Sequence, residues 1–209
     1  MKKRITLLTV LFIFAFGCSP QIWASAQGQK PESRATPAAP VSGAKPADAE
    51  TSAQARAMKG LRDKLLTSSP QEVGLSGEDA EAKVWGVMME VAFPSGVVTL
   101  ISLRDGTASV YTNTGGGIFG GYSARNEAKR FVGEAEKHVA SMKPTKSFPY
   151  PEPRRMKFYI LTRAGVLTAE ADEKELVSGQ HTLSPLFIAG NEVLTGLRMH
   201  TGQSQPTKP

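Results

Sequence analysis

The stretch from Thr107 to Met142 constrains the fold more than any other part of the chain, because an alternating strand pattern leads through glycines into an amphipathic helix. The pattern predicts a strand over 107–114, a loop over 115–121 and a helix over 123–142. Apolar residues recur every three or four positions in that helix, which is typical of one buried face. They are Ala124, Ala128, Phe131, Val132, Ala135, Val139 and Met142. The helix is therefore expected to lie on a sheet.

Four further segments have the composition of strands. Tight turns at residues 94–96 and 105–106 leave no room for crossover helices, so the first three strands are expected to form an antiparallel meander. A second hairpin turns at residues 164–165. The four segments are Val84–Phe93, Val97–Leu103, Met156–Thr162 and Val166–Ala171.

Helices are predicted before and after the strands. A helix over 53–66 carries Leu61 and Leu65 on its apolar side and Arg62 on its polar side, and is expected to cap one edge of the domain. Ser184 begins a last helix. Glu90 interrupts an apolar strand, and strand alternation favours an edge or outward position for it.

These elements predict an α+β domain in the order α-β-β-β-α-β-β-α, with an antiparallel five-stranded sheet and helices packed on it. That order is similar to the longin and profilin-like group of folds. The likeness is one of topology alone, covers residues 53–200 loosely and includes no signature motif. It implies a fold and no activity.

The N-terminus has the features of a secretory signal peptide over residues 1–26. A basic start precedes 13 uncharged residues, Ile5 to Gly17, and small residues at Ala24 and Ala26 favour cleavage after Ala26. The alternative is a lipoprotein anchored through Cys18, the only cysteine, although Phe16 fits a lipidation motif poorly. The protein is therefore expected in the periplasm or extracellular space, and a membrane contact is expected only through a lipid at Cys18.

The remaining chain divides by composition. Residues 27–53 are rich in Ala and Pro and predict a disordered linker, residues 54–201 a single globular domain, and residues 202–209 a disordered tail. Removing three basic residues with the signal peptide leaves 25 − 3 = 22 basic against 19 acidic residues. A net charge of +3 and an exported location argue against a nucleic-acid partner.

The glycines between the third strand and the long helix are the first candidate site. Gly115, Gly117 and Gly120 match G-x-G-x-x-G, and backbone amides before a helix can bind an anion. The antiparallel context and the absence of a suitably placed acidic residue argue against a dinucleotide. Gly115, Gly116, Gly117, Gly120 and Gly121 are thus candidates for binding a small anionic ligand, or serve as a flexible turn. Gly117→Val is expected to abolish such binding and leave the fold intact.

Other chemical signatures are missing. His138, His181 and His200 lack the spacing of metal ligands, and no common hydrolase motif occurs, so we predict no catalytic residue, no metal site and no cofactor.

Aromatic residues give the last candidates. Phe119, Tyr122, Phe148 and Tyr150 are predicted to contact a partner, although the proline-rich segment around the last two is favoured as a connector packed over one sheet face. The sequence therefore predicts a non-catalytic binding or assembly module of the bacterial cell envelope, whose partner is another envelope protein. The alternative is a sensor for a small anionic ligand.

Overall fold

The structure, a computed structural model, describes the backbone of residues 46–202 and the side chains of residues 53–117 and 121–199. The predicted signal peptide, Cys18, the linker up to residue 45 and the tail from residue 203 lie outside the described residues.

Within the described residues the chain forms five helices and seven strands. The helices are α1 (Pro46–Thr67), α2 (Gly77–Glu81), α3 (Arg125–His138), α4 (Glu173–Ser178) and α5 (Ser184–Gly202). The strands are β1 (Val84–Phe93), β2 (Gly96–Leu103), β3 (Ala108–Thr112), β4 (Gly117–Gly121), β5 (Lys143–Thr145), β6 (Arg155–Thr162) and β7 (Gly165–Asp172). A 3-10 turn over Val139–Ser141 extends α3, and α1 begins earlier than the predicted Ala53.

All seven strands belong to one sheet in the order β4-β3-β2-β1-β6-β7-β5, and every neighbouring pair is antiparallel. The α+β class and the antiparallel sheet are confirmed. The predicted number of five strands is wrong, because β4 and the three-residue β5 extend the sheet at its two edges. The meander β1-β2-β3 and the hairpin β6-β7 meet in the middle of the sheet, where β1 pairs with β6.

The predicted loop over residues 115–121 is a tight turn followed by a strand. Gly115 and Gly116 have positive φ angles of 103° and 84°, which glycine adopts without a steric penalty. The turn sends the chain back along β3, and β4 pairs with it from Gly117 to Gly121. Propensity gave no sign of this strand, because glycine is depleted in strands.

Helical layers cover both faces of the sheet. On one face α3, α4 and α5 enclose a core that includes Met89, Phe131 and Phe158, and the apolar stripe predicted for α3 is buried there. On the other face α1 and the residues around Phe148 cover a second core. Its buried members are Leu66, Leu75, Ala80, Trp85, Met88, Ile101, Leu103, Tyr111, Tyr159 and Leu161. Central strands therefore carry apolar residues on both sides.

The hairpin of β3 and β4 has no room for a side chain at Gly117. An added Cβ would lie 2.6 Å from Tyr111 Cβ and 2.6 Å from the Val110 carbonyl oxygen. The expectation that Gly117→Val leaves the fold intact is therefore wrong. We expect even Gly117→Ala to lower the free energy of unfolding by about 1–3 kcal/mol, measured by urea denaturation.

Gly133 on α3 provides the matched control, because no atom lies within 4 Å of a Cβ added there. Gly133→Ala should raise the free energy of unfolding by about 0.5–1 kcal/mol, since alanine is the better helix former. Equal effects of the two substitutions would contradict the packing described for β4.

Candidate functional site

A row of polar residues crosses the sheet on the face covered by α1. Tyr111, Thr99, Glu90, Lys157 and Glu170 lie directly opposite one another on β3, β2, β1, β6 and β7. Residues opposite each other in antiparallel strands point to the same face, so these five form one continuous line. We call them the polar row. The row places two carboxylates and an ammonium group on a face that is otherwise an apolar core.

Arg62 of α1 binds the carboxylate at the centre of the row. Its Nε lies 2.6 Å from Glu90 Oε1 and its Nη2 lies 2.8 Å from Oε2, while Thr99 donates a hydrogen bond to Oε1 at 3.0 Å. Arg62 is 2% exposed and Glu90 is fully buried. This two-point contact matches the planar guanidinium to the carboxylate, and Nη1 of Arg62 lies 3.3 Å from Asp63 Oδ1.

The predicted orientation of both residues was wrong. Glu90 lies on β1, the middle strand of the sheet, and a carboxylate buried there needs a cation. α1 supplies it by turning Arg62 toward the sheet, which leaves the neighbouring Leu61 41% exposed. Burial opposes the charge of Arg62, but the hydrogen bond and the attraction of Glu90 outweigh burial and raise the pKa of Arg62. The guanidinium therefore stays charged at every physiological pH.

Tyrosines surround this ion pair. The guanidinium carbon of Arg62 lies 4.2 Å from the ring centre of Tyr150 and 5.8 Å from that of Tyr159, both within cation–π range. Burial and the charge of Glu90 raise the pKa of Tyr159 to about 12, and burial also raises the pKa of Tyr111 and of Tyr150. All three hydroxyls therefore remain protonated at neutral pH and can act only as neutral hydrogen-bonding groups.

The other end of the row opens into a groove. Lys157 Nζ and Arg155 Nε each lie 2.9 Å from an oxygen of Glu170, and Lys157 also donates to the Pro149 carbonyl at 3.3 Å. Partial burial would raise the pKa of Glu170, but its hydrogen bonds to Lys157 and Arg155 lower the pKa overall. The groove beside these groups has a volume of about 470 Å3. Its lining is Ser141, Lys143, Thr145, Ser147, Pro149, Lys157, Tyr159, Thr168, Ala169 and Glu170.

The candidate glycines lie at the opposite edge of the sheet. The Gly115 amide donates to the Thr112 carbonyl at 3.2 Å, and the Thr112 amide donates to the Gly116 carbonyl at 3.1 Å. Gly117, Gly120 and Gly121 belong to β4. The amides thus extend along a hairpin instead of surrounding one point, as an anion site before a helix would require.

The outer side of β4 has no strand partner among the described residues. Antiparallel ladders alternate between residues that bond the neighbouring strand and residues that point away from it. Because Thr112 bonds Gly116, that alternation directs the backbone groups of residue 118 toward β3 and those of Gly117 and Phe119 outward. β4 therefore directs backbone donors and acceptors outward at the sheet edge, where no described strand pairs with them.

The two edges of the sheet differ in chemistry. β5 has three residues and includes Lys143 and Pro144, and both lysine and proline hinder the addition of another strand. β4 has the sequence Gly-Ile-Phe-Gly-Gly, with neither a charge nor a proline. The features that discourage strand addition are therefore present at the β5 edge and missing at the β4 edge.

The structure separates the four candidate aromatic residues into two pairs. Phe119 lies on β4, and Tyr122 follows it with 56% exposure, a hydrogen bond to Asp105 at 3.1 Å and a cation–π contact with Arg125. Phe148 packs edge-to-face on Tyr159 at 5.8 Å, and Tyr150 covers Arg62. Their segment thus packs over one sheet face, as the sequence favoured, whereas the first pair lies beside the free edge.

The histidines do not meet in the described part of the fold. His138 Nε2 lies 3.4 Å from Glu134, and His181 Nδ1 accepts a hydrogen bond from the Leu183 amide at 3.1 Å. No group of three His, Cys, Asp or Glu side chains suited to a metal ion occurs among the described residues. No helix in that same part of the chain is long and apolar enough to span a bilayer.

The ion pair at the centre of the row can be tested by replacing Arg62 alone and then together with Glu90. Arg62→Met should lower the free energy of unfolding by about 3–5 kcal/mol, because it leaves Glu90 buried without a cation. Replacing both residues by methionine should restore most of that loss, since no buried charge remains. Arg56→Met on the exposed side of α1 is the control and should change stability by no more than about 0.5 kcal/mol. Urea denaturation gives all four values, and equal effects of the two single substitutions would contradict the arrangement.

The outer end of the row predicts a pH dependence. A carboxylate whose folded pKa lies below its ordinary value of 4.5 stabilises the fold above that value, and the stabilisation is lost as the pH falls through the folded pKa. The free energy of unfolding should therefore fall less for Glu170→Gln than for the parent protein between about pH 6 and about pH 3. Glu175→Gln, at an exposed position on α4, is the control and should follow the parent curve. Parallel curves for all three proteins would refute a stabilising contact at Glu170.

Comparisons with known proteins assign no role to these features. No protein-family model matches the sequence, no curated protein matches it, and no solved structure matches the fold. The likeness to longin and profilin-like folds thus remains an analogy of element order. The function has to be argued from the geometry of the polar row and of the two sheet edges.

Proposed function

We propose that the protein is an exported, non-catalytic binding or assembly module of the bacterial cell envelope. Its partner is another envelope protein, which adds an extended segment to the outer side of β4. The single observation that carries this proposal is the edge strand Gly117–Gly121, which has no strand partner among the described residues and none of the charges or prolines that hinder strand addition.

Strand addition uses the backbone more than the side chains. The free groups of Gly117 and Phe119 can exchange hydrogen bonds with an extended segment, and the small size of the glycines allows its backbone to approach closely. Tyr122 stands exposed directly after the strand and offers an aromatic surface to the same segment. Phe119 and Tyr122 therefore remain the proposed partner contacts, while Phe148 and Tyr150 contribute to the support beneath α1.

The state of the polar row favours binding over catalysis. General acid–base catalysis needs a group that can exchange a proton near the working pH. Arg62 neutralises Glu90, Lys157 and Arg155 neutralise Glu170, and burial keeps the tyrosines protonated. These groups are suited to holding a shape, which a binding module needs.

The cellular location rests on the N-terminal sequence. Cleavage after Ala26 would release the protein into the periplasm or beyond the cell, whereas a lipid on Cys18 would attach it to a membrane. In either case the stretch after residue 27 would act as a tether that lets the domain reach a partner.

The alternative function, a sensor for a small anionic ligand at Gly115–Gly121, has weaker support. Two bonds between Thr112 and the turn already use the Gly115 amide and the Gly116 carbonyl, and the remaining glycines lie along a strand. This alternative stays a prediction.

The proposal can be tested with two substitutions at one position. Phe119→Pro should abolish capture of the partner from gently solubilised envelope extracts, because proline removes the outward amide while leaving the ladder to β3 intact. Phe119→Thr keeps that amide and suits a strand, so it should retain capture.

Three results would overturn strand addition. Both variants could retain the partner, both could lose it, or the parent protein could remain alone in the same extract. Loss in both variants would indicate that the partner binds the phenylalanine ring and not the backbone of β4. Thermal unfolding of each variant, compared with the parent, shows whether the fold survives the substitution.

A further inference from the structure

We propose that the groove at the outer end of the polar row binds a small molecule carrying an oxyanion, held by Lys143 and Lys157. The groove lies between β5 with the residues that follow it and the strands β6 and β7. It is at the opposite edge of the sheet from β4, so this site and the proposed partner edge can be tested independently.

The charge balance of the groove favours an anion. Among the lining residues, Lys143 and Lys157 carry two positive charges against one negative charge on Glu170, which gives 2 − 1 = +1. Arg155, outside the lining, adds a further positive charge at Glu170. Both oxygens of Glu170 are already engaged by Lys157 and Arg155. The ammonium of Lys143 forms no ion pair with any residue the structure describes, so a ligand could neutralise it without breaking an existing contact.

Lys157 is held in place before any ligand arrives. It is 9% exposed, and its Nζ is bonded to Glu170 Oε2 at 2.9 Å and to the Pro149 carbonyl at 3.3 Å. An ammonium group has three donors, so these two contacts leave one for a ligand in the groove. Tyr159 donates to the same Pro149 carbonyl at 2.8 Å, which fixes Pro149 beside Lys157. Such preorganisation reduces the entropy that binding would otherwise cost.

The remaining lining indicates the kind of molecule that carries the oxyanion. The groove is also lined by Thr145, Ser147 and Thr168, together with apolar surface from Pro149 and Ala169. The hydroxyls of Thr145 and Thr168 already donate to the Ser147 and Phe158 carbonyls at 2.8 and 3.1 Å, so toward a ligand they can only accept. A volume of about 470 Å3 falls within the range of about 300–1,000 Å3 that small-molecule sites occupy. Accepting hydroxyl oxygens beside two lysines suit an oxyanion that also carries hydroxyl donors, such as a hydroxylated carboxylate, and a phosphate shares the same oxyanion chemistry.

The experiment titrates the protein, purified as the cell processes it, with glucuronate and separately with inorganic phosphate. Amide chemical shifts by NMR should change and saturate for residues 143, 145–148 and 168–170, and raising the salt concentration should weaken binding. Saturation with glucuronate alone indicates that the natural ligand is a carboxylate, and saturation with phosphate alone indicates that it is a phosphate. Saturation with both indicates a site that recognises only the oxyanion. Each of these results supports the site.

Two lysine variants that change the net charge equally distinguish binding in the groove from non-specific electrostatic attraction. Lys143→Gln should raise the Kd by about tenfold or more, as expected when a hydrogen bond to a charged group is lost. Lys146→Gln, an exposed lysine three residues away and outside the groove lining, should leave the Kd within about twofold. Equal weakening in both variants, no saturation with either anion, or saturating shifts confined to residues 115–121 would overturn the proposal.

Discussion

The ion pair between Arg62 and Glu90 decides how α1 sits on the sheet. A carboxylate in the central strand has no access to water, so its hydrogen bonds and a compensating charge have to come from the protein itself, here from the layer above. Arg62 fits because its planar group meets both carboxylate oxygens, with Thr99 completing the set. Tyr150 then stacks on the guanidinium and draws the proline-rich segment over the same face. Helix α1 and the proline-rich segment, which are distant in sequence from β1 and from each other, are thereby both fixed at Glu90. Such a pair adds little net stability compared with an apolar substitute, but it excludes other rotations of α1, because each would strand a buried charge.

The same line of residues connects the two edges that carry the proposals. Tyr111 at one end lies opposite Gly117 of β4, where a side chain would collide with it, and Glu170 at the other end lies beside the groove. The α1 face between them is filled by paired charges, tyrosines and the proline-rich segment, so a partner has no access there. The proposed recognition sites lie at the edges, where β4 offers backbone groups and the groove offers cationic ones. A sheet that is packed at its centre and accessible at its edges suits the proposed binding module, since binding at an edge then requires little reordering of the sheet.

The sequence predicted those parts of the fold that periodicity specifies. The stripe on α3 and the strands with short turns specify an antiparallel sheet under a helix, and both were found. The predicted orientation of Arg62 and Glu90 was wrong because hydropathy patterns assign charged residues to the solvent side. Two charged residues that are buried together as a pair both depart from that rule. One signal could have identified them: Glu90 lies in the longest of the predicted strands, which favours the central strand, and a buried acid there requires a basic residue in the neighbouring layer. β4 was missed for another reason, because pairing with β3 overrides the low strand propensity of glycine. The groove depends on contacts between residues 143–149 and β6 and β7, which no local pattern contains.

The composition of β4 bears on how a partner would be held. Three of its five residues are glycines, so strand addition there would gain mainly backbone hydrogen bonds and little apolar burial. Each such bond contributes only about 0.5–1.5 kcal/mol once the loss of water is counted, so an edge of this length gives a weak contact by itself. A tether changes that balance, because attaching the domain near its partner raises the effective concentration without any new contact. The proposed linker after residue 27 and a weak, reversible edge are therefore complementary: the first keeps the partner within reach, and the second allows the contact to be made and broken.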